Sequence, residues 1–269
     1  MWAKNVILGA ILVAGMAASV TAANAETKST AAVAAPNFNL SSAAGVVDGD
    51  GKLILSGRGT MPLYSDAFGI QLDASDALGA GPNRGGLGLH LFNRNPAQHL
   101  IGLTTMWGRV GSVDTLRYGL EGEAYMQDFT LRLAGGGQSQ QGNGTAYANA
   151  KASYYFTDNL VVGLGVSGYS DSRGGSLDLE WKPADLSTPF SVFASAGDTN
   201  DSDGFGLVGL RFSFGDNNAS LKDRQRSYDP DNLVETFMTS ENGAAEDECQ
   251  EPVRTVTRPT PTCGRRPPP

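Results

Sequence analysis

Between residues 37 and 214 the chain repeats one pattern: apolar and polar side chains alternate over short stretches, and turn-forming residues end each stretch. The clearest pair spans 114–135. Leu116, Tyr118, Leu120 and Ala124 alternate with Thr115, Arg117, Glu121 and Glu123. After Gln127 and Asp128, Phe129, Leu131 and Leu133 alternate with Thr130 and Arg132. A period of two places successive side chains on opposite faces of a strand. The same alternation recurs in 145–156, where Ala148, Ala150, Ala152 and Tyr154 oppose Asn149, Lys151 and Ser153. It recurs again in 176–182, where Leu177, Leu179 and Trp181 oppose Asp178, Glu180 and Lys182.

Taken in order, the pattern predicts strands at 38–47, 52–61, 67–74, 85–93, 100–109, 114–126, 129–135, 145–156, 160–169, 176–182, 190–196 and 204–214. The first is the weakest, so the expectation is about twelve strands, or eleven without it. Connections rich in Gly, Asn, Asp, Ser and Pro separate them, as turn chemistry requires. Several of these stretches hold only seven to nine residues, short for crossing a bilayer with tilted strands.

Charged side chains fall almost wholly on one face: Arg58, Asp73, Arg117, Glu121, Glu123, Arg132, Lys151, Asp178, Glu180 and Arg211. The other face carries Leu, Val, Phe, Ala and Gly, with Tyr154, Trp181 and Trp107 placed as interfacial aromatics. A soluble β protein turns such a wettable face outward; a membrane barrel turns it inward. The many alanines of the apolar face (Ala148, Ala150, Ala152, Ala194, Ala196) would fill a large soluble core poorly.

The stretch GFGLVGLRFSF (204–214) sharpens the choice, with Gly209 followed by apolar residues and closed by Phe212 and Phe214. This ending resembles the closing strand of bacterial outer-membrane β-barrels. There the resemblance implies that Gly209, Phe212 and Phe214 serve as the signal read by the barrel assembly machinery. The usual place of the terminal aromatic is the last residue, whereas here residues 215–269 follow. The implied fold is all-β: a transmembrane antiparallel up-and-down barrel over 37–214, with outer-membrane lipid around it.

The ends of the chain fit export. Lys4, an apolar run over 6–20 and the small-x-small triplet Ala23-Asn24-Ala25 read as a signal peptide of residues 1–25. Residues 26–36 read as a linker. Residues 215–269 change character, being charged, then acidic, then rich in Pro and Arg. They read as a periplasmic tail, disordered or with a short helix over 220–240. Cys249 and Cys263 both lie there. They could close a disulfide in an oxidising compartment or remain two thiols.

A net charge of −8 gives no support to nucleic-acid binding. Only two histidines are present: His90 on the polar face and His99 in the turn next to Pro96. Neither pairs by spacing with a Ser or Asp, so no catalytic set is expected, and no metal or cofactor spacing appears. The glycines of GLGLHLF and VVGLGVSG precede no helix and are not nucleotide loops. Twelve strands lie between a filled interior and an aqueous channel. The ten charged residues are therefore expected to line a lumen. The expected function is a porin-like passive channel for small polar solutes. The alternative is a non-conducting structural or surface-interaction barrel, with a soluble β protein or a barrel enzyme further behind.

Overall fold

A computed structural model describes residues 31–169, 172–183, 189–200, 202–215 and 219–240. Twelve strands, each paired antiparallel with its chain neighbours, form a closed barrel. They are β1 (Asn37–Val47), β2 (Asp50–Leu63), β3 (Ser65–Gly79), β4 (Arg84–Asn95), β5 (His99–Val110), β6 (Val113–Met126), β7 (Phe129–Gln140), β8 (Asn143–Thr157), β9 (Leu160–Tyr169), β10 (Ser172–Trp181), β11 (Phe190–Thr199) and β12 (Phe205–Phe214). The first stretch, the weakest in sequence, is a full strand. It closes the barrel by pairing with β12 from Phe38 opposite Phe214 to Val47 opposite Phe205.

The strands run to 10–15 residues, longer than the alternation alone marked out. At about 3.3 Å per residue they reach through roughly 30 Å of hydrocarbon with tilt to spare. The extra length lies in segments that read as loops. Residues 75–79 continue β3, and Ser139 and Gln140 continue β7 to a two-residue turn at Gln141 and Gly142. That turn has φ of 49° and 83°, and the turn at Asp48 and Gly49 has 53° and 80°. Two successive left-handed residues twist a hairpin with its strands. Most connections hold one to five residues at both ends of the barrel.

The outside is apolar and the inside polar. Leu103, Leu120, Leu164, Val166 and Val208 are more than half exposed, while Gln71 and His90 are fully enclosed and Asp73 is 1% exposed. This inverts the usual soluble protein and matches a barrel in lipid. Tyr154, Phe156, Trp181, Phe212 and Phe214 form exposed aromatics near the end where the strand termini lie. Among the described residues no helix is long and apolar enough to cross a membrane.

Two short helices follow β12: α1 (Leu221–Ser227) and α2 (Leu233–Ser240). Ser220 starts α1 by accepting from the Asp223 amide at 3.0 Å. Asn232 starts α2, its Oδ1 accepting from the amides of Val234 and Glu235. Both helices pack against the inside of the barrel. The helix expected within 220–240 is thus present as two short ones, and the described part of the tail occupies the lumen.

Candidate functional site

The lumen is built by the inward-facing half of each strand, and all ten charged residues singled out in the sequence turn into it. Arg58, Asp73, Arg117, Glu121, Glu123 and Glu180 are buried; Arg132, Lys151, Asp178 and Arg211 are partly so. Ion pairs tie several to one another, Arg132 with Glu123 on the neighbouring strand at 2.7 Å, and Lys151 with Asp178 at 2.9 Å and Arg211 with Glu180 at 2.6 Å each across an intervening strand. Of the set Arg117, Glu121, Glu123 and Arg132, Glu123 and Arg132 pair with each other, while Arg117 and Glu121 turn to other partners. Arg117 donates to Gln138 at 2.7 Å and lies over the rings of Tyr147, Tyr169 and Phe237. Glu121 turns toward His90.

His90 sits between two carboxylates. Its Nε2 lies 2.9 Å from Asp73 Oδ2 and its Nδ1 2.9 Å from Glu121 Oε1. Glu121 reaches over β5 at Gly102, where a Cβ would meet its Oε1 at 2.8 Å. An ionised carboxylate only accepts, so both contacts are hydrogen bonds when each ring nitrogen carries a proton. The ring then has no nitrogen left to take a proton from a substrate, which gives this histidine a bridging and not a basic role. The sequence placed His90 on the polar wall correctly. Its carboxylate partners come from β3 and from β6, two strands away, and so share no local spacing with it. His99 begins β5 opposite Asn95 and Ala124, not a turn. Among the described residues no cluster of His, Cys, Asp or Glu is arranged to hold a metal ion.

The tail meets this wall along its length. At the terminal end, the Leu221 amide donates to Asn159 Oδ1 at 3.1 Å, and Lys222 pairs with Asp128 at 2.8 Å. Arg226 donates to the carbonyls of Gln127 and Phe129, and Tyr155 OH donates to Gln225 at 2.7 Å. The same mouth takes residues 31–36, which read as a linker. Val33 is buried with Phe92, Leu100 and Tyr125, and the Ala34 amide donates to the Ser227 carbonyl.

Deeper in, the link between the helices is received residue by residue. Asp229 accepts from Asn39 at 2.6 Å and Thr60 at 3.2 Å. The Pro230 carbonyl accepts from Arg58 and Gln71. Asp231 pairs with Arg132 and lies 3.5 Å from Lys151. The Leu233 amide donates to Asp73 at 3.0 Å, which ties the first turn of α2 to the His90 bridge. Glu235 accepts from Ser41 at 2.7 Å and lies 3.4 Å from Arg211.

One side of α2 is apolar and docks on an apolar patch of the inner wall. Val234, Phe237 and Met238 are fully buried against Ala43, Val47, Ile54, Ala77, Met106, Val110 and Leu207. Glycines make the seat. A Cβ at Gly108 would lie 2.3 Å from the Phe237 ring, and one at Gly86 or Gly88 would touch Val234. Gly86 and Gly88 belong to the GLGLHLF stretch, whose glycines thus answer to a helix packed inside the barrel. Each fully buried apolar side chain of α2 stabilises the docked state by about 1.5–3 kcal/mol. The opposite side of α2 leaves a cavity of about 210 Å³ toward β7–β11, lined among others by Lys151, Asp178, Glu180, Arg211 and Asp231. Residues 1–25, read as a signal peptide, and Cys249 and Cys263 lie outside the described residues. Gly209 faces inward, and Phe212 and Phe214 face outward on β12.

No family model and no curated protein matches the chain. Among solved structures it is similar to the KdgM porin, at a TM-score of 0.52 and 14% identity over 65% of this chain and 99% of that one. The KdgM porin in complex with disordered oligogalacturonate matches over the same shares at a TM-score of 0.53 and 14% identity. The chain therefore has the closed-barrel fold of outer-membrane porins, with its own C-terminal segment seated in the lumen.

Proposed function

We propose that the protein is a porin-like outer-membrane channel for passive passage of small polar solutes, narrowed in this conformation by residues 219–240. The carrying observation is the cavity beside α2, which carries charged side chains on its wall. It keeps one sector of the lumen, lined by Lys151, Asp178, Glu180 and Arg211, clear of side-chain packing. An apolar outer surface and a charged inner one are what a conducting barrel in lipid requires. The likeness to KdgM porins supports the class of protein and not the solute.

A specific observation favours a second reading. The apolar patch under Val234, Phe237 and Met238 would be wet in an open pore, so the helix is a well-fitted stopper, and a barrel that never opens is a consistent alternative. Conductance of the purified full chain in planar bilayers separates the two. Discrete steps that change on Lys151→Ala or Glu180→Gln support the channel. Verified insertion with no steps, in the wild-type chain and in a variant with a loosened helix, overturns it.

A further inference from the structure

α2 shows the cavity a different side from the one it shows the wall. Val234, Phe237 and Met238 dock on the apolar patch, whereas Glu235, Thr236 and Thr239 line the cavity. The two threonine hydroxyls take their partners within the helix. Thr236 donates to the Asn232 carbonyl and Thr239 to the Glu235 carbonyl, each at 3.3 Å. Thr236, midway along a helix packed inside the barrel, is exposed. One side of α2 is thus held dry on glycine seats, and the other is finished without the opposite wall.

The cavity runs lengthwise. β9 lines it from Val161, its second residue, to Ser167, two residues short of its end. That is about 20 Å of strand at about 3.3 Å per residue. Small side chains on the barrel wall, among them Ser153, Gly165, Ser176 and Ser195, keep this sector open. Lys151 lies along Gly163, where a Cβ would meet its Cε at 2.7 Å, and reaches Asp178 across β9. Lys151, Asp178, Asp231 and Glu235 keep 26–34% of their side-chain surface accessible inside the barrel.

Toward the strand termini the space closes. Arg211 and Glu180, paired with each other, keep 14% and 10%, and Gln225 of α1 donates to Glu180 at 3.3 Å. Past them a smaller cavity of about 20 Å³ lies beneath α1, lined among others by Lys182, Ser191, Ser213 and Arg224. Arg58, Glu180, Arg211 and Gln225 belong to the walls of both cavities. A single water needs about 10–15 Å³, so the larger cavity takes a cluster of waters and the smaller takes one.

We propose that α2 is a fixed wall of the conducting path and need not leave it. Water and small polar solutes pass between its side bearing Glu235, Thr236 and Thr239 and the inner face of β7–β11. Arg211, Glu180 and Gln225 form the constriction that limits the size of what passes. The proposal rests on the channel reading and gives it a route. Loosening α2 adds a wider opening to this narrow one and is not required for it.

Tying the helix down tests the route. A Cβ at Gly88 would lie 3.4 Å from Val234 Cγ2, within reach of a disulfide. The full chain with Gly88→Cys and Val234→Cys, and with Cys249→Ser and Cys263→Ser, is oxidised, the bridge is verified by mass, and steps in planar bilayers are recorded before and after reduction. The tied chain is expected to conduct with the unit current of wild type, and reduction to leave that current unchanged. Steps that appear only after reduction mean that α2 must leave, which overturns the proposal and keeps the channel. A second chain, Ser176→Cys with the same two cysteines replaced, leaves the helix untouched. Sulfonatoethyl methanethiosulfonate is expected to lower its unit current, and a current that the reagent does not change overturns the route. Gln225→Ala is expected to raise unit current by widening the constriction. Absence of steps in every chain, wild type included, overturns the channel reading itself and the route with it.

Discussion

His90 holds three strands together through charge. Asp73 comes from β3, His90 from β4 and Glu121 from β6, and the Leu233 amide adds the plug to the same carboxylate. Replacing the ring by a hydrocarbon leaves two buried carboxylates facing each other with no cation between them, a loss of about 3–5 kcal/mol when a buried charge loses its partner. His90→Leu is expected to lower the urea midpoint of the barrel, followed by tryptophan fluorescence. Glu121→Gln keeps an acceptor for His90 and removes one charge, and is expected to cost less. Phe237 acts on the plug alone. Phe237→Ala removes a fully buried ring from α2, a change of about 3–5 kcal/mol in a well-packed site. It is expected to raise the frequency of conducting steps in bilayers while leaving barrel stability in urea near that of wild type.

At the scale of elements, α2 has eight residues, too few to hold a helix in water without tertiary support. Its order comes from its seat: the glycine groove of β4 and β5, the Asn232 cap and the ion pairs of Asp231 and Glu235. Gly108→Leu fills the space of the Phe237 ring with a side chain anchored on the wall. It is expected to push α2 from its seat without altering any charge, and single-channel recordings should show longer openings than wild type. Asp231→Asn acts through electrostatics, since Arg132 and Lys151 lose the plug's carboxylate but keep Glu123 and Asp178. Opening that increases with salt in wild type is expected to become less dependent on salt in this variant.

For the whole molecule, the plug is a charged complement to the wall. Residues 229–240 carry Asp229, Asp231 and Glu235 and no Lys or Arg, and they face Arg58, Arg132, Lys151 and Arg211. The triple variant Asp229→Asn, Asp231→Asn, Glu235→Gln removes three negative charges from the lumen. Its reversal potential in a salt gradient is expected to move toward anion preference relative to wild type. An unchanged potential would mean that current bypasses this wall. The strand periodicity, a count of about twelve with the first strand in doubt, and the common face of the ten charged residues were legible in the sequence, because a pleated strand sorts its side chains by residue parity. The inside-out sense followed from alanine content and the closing Phe212 and Phe214, and the apolar outer surface agrees with it. What the sequence hid were relations between residues far apart in the chain. Asp73, His90 and Glu121 meet through sheet register. Gly86, Gly88 and Gly108 look idle until α2 lies on them. The tail's polarity read as solvent exposure, yet its acids are matched by an equally polar wall. Local alternation decides which face each residue takes, and only closure of the barrel creates a polar interior able to receive a charged segment.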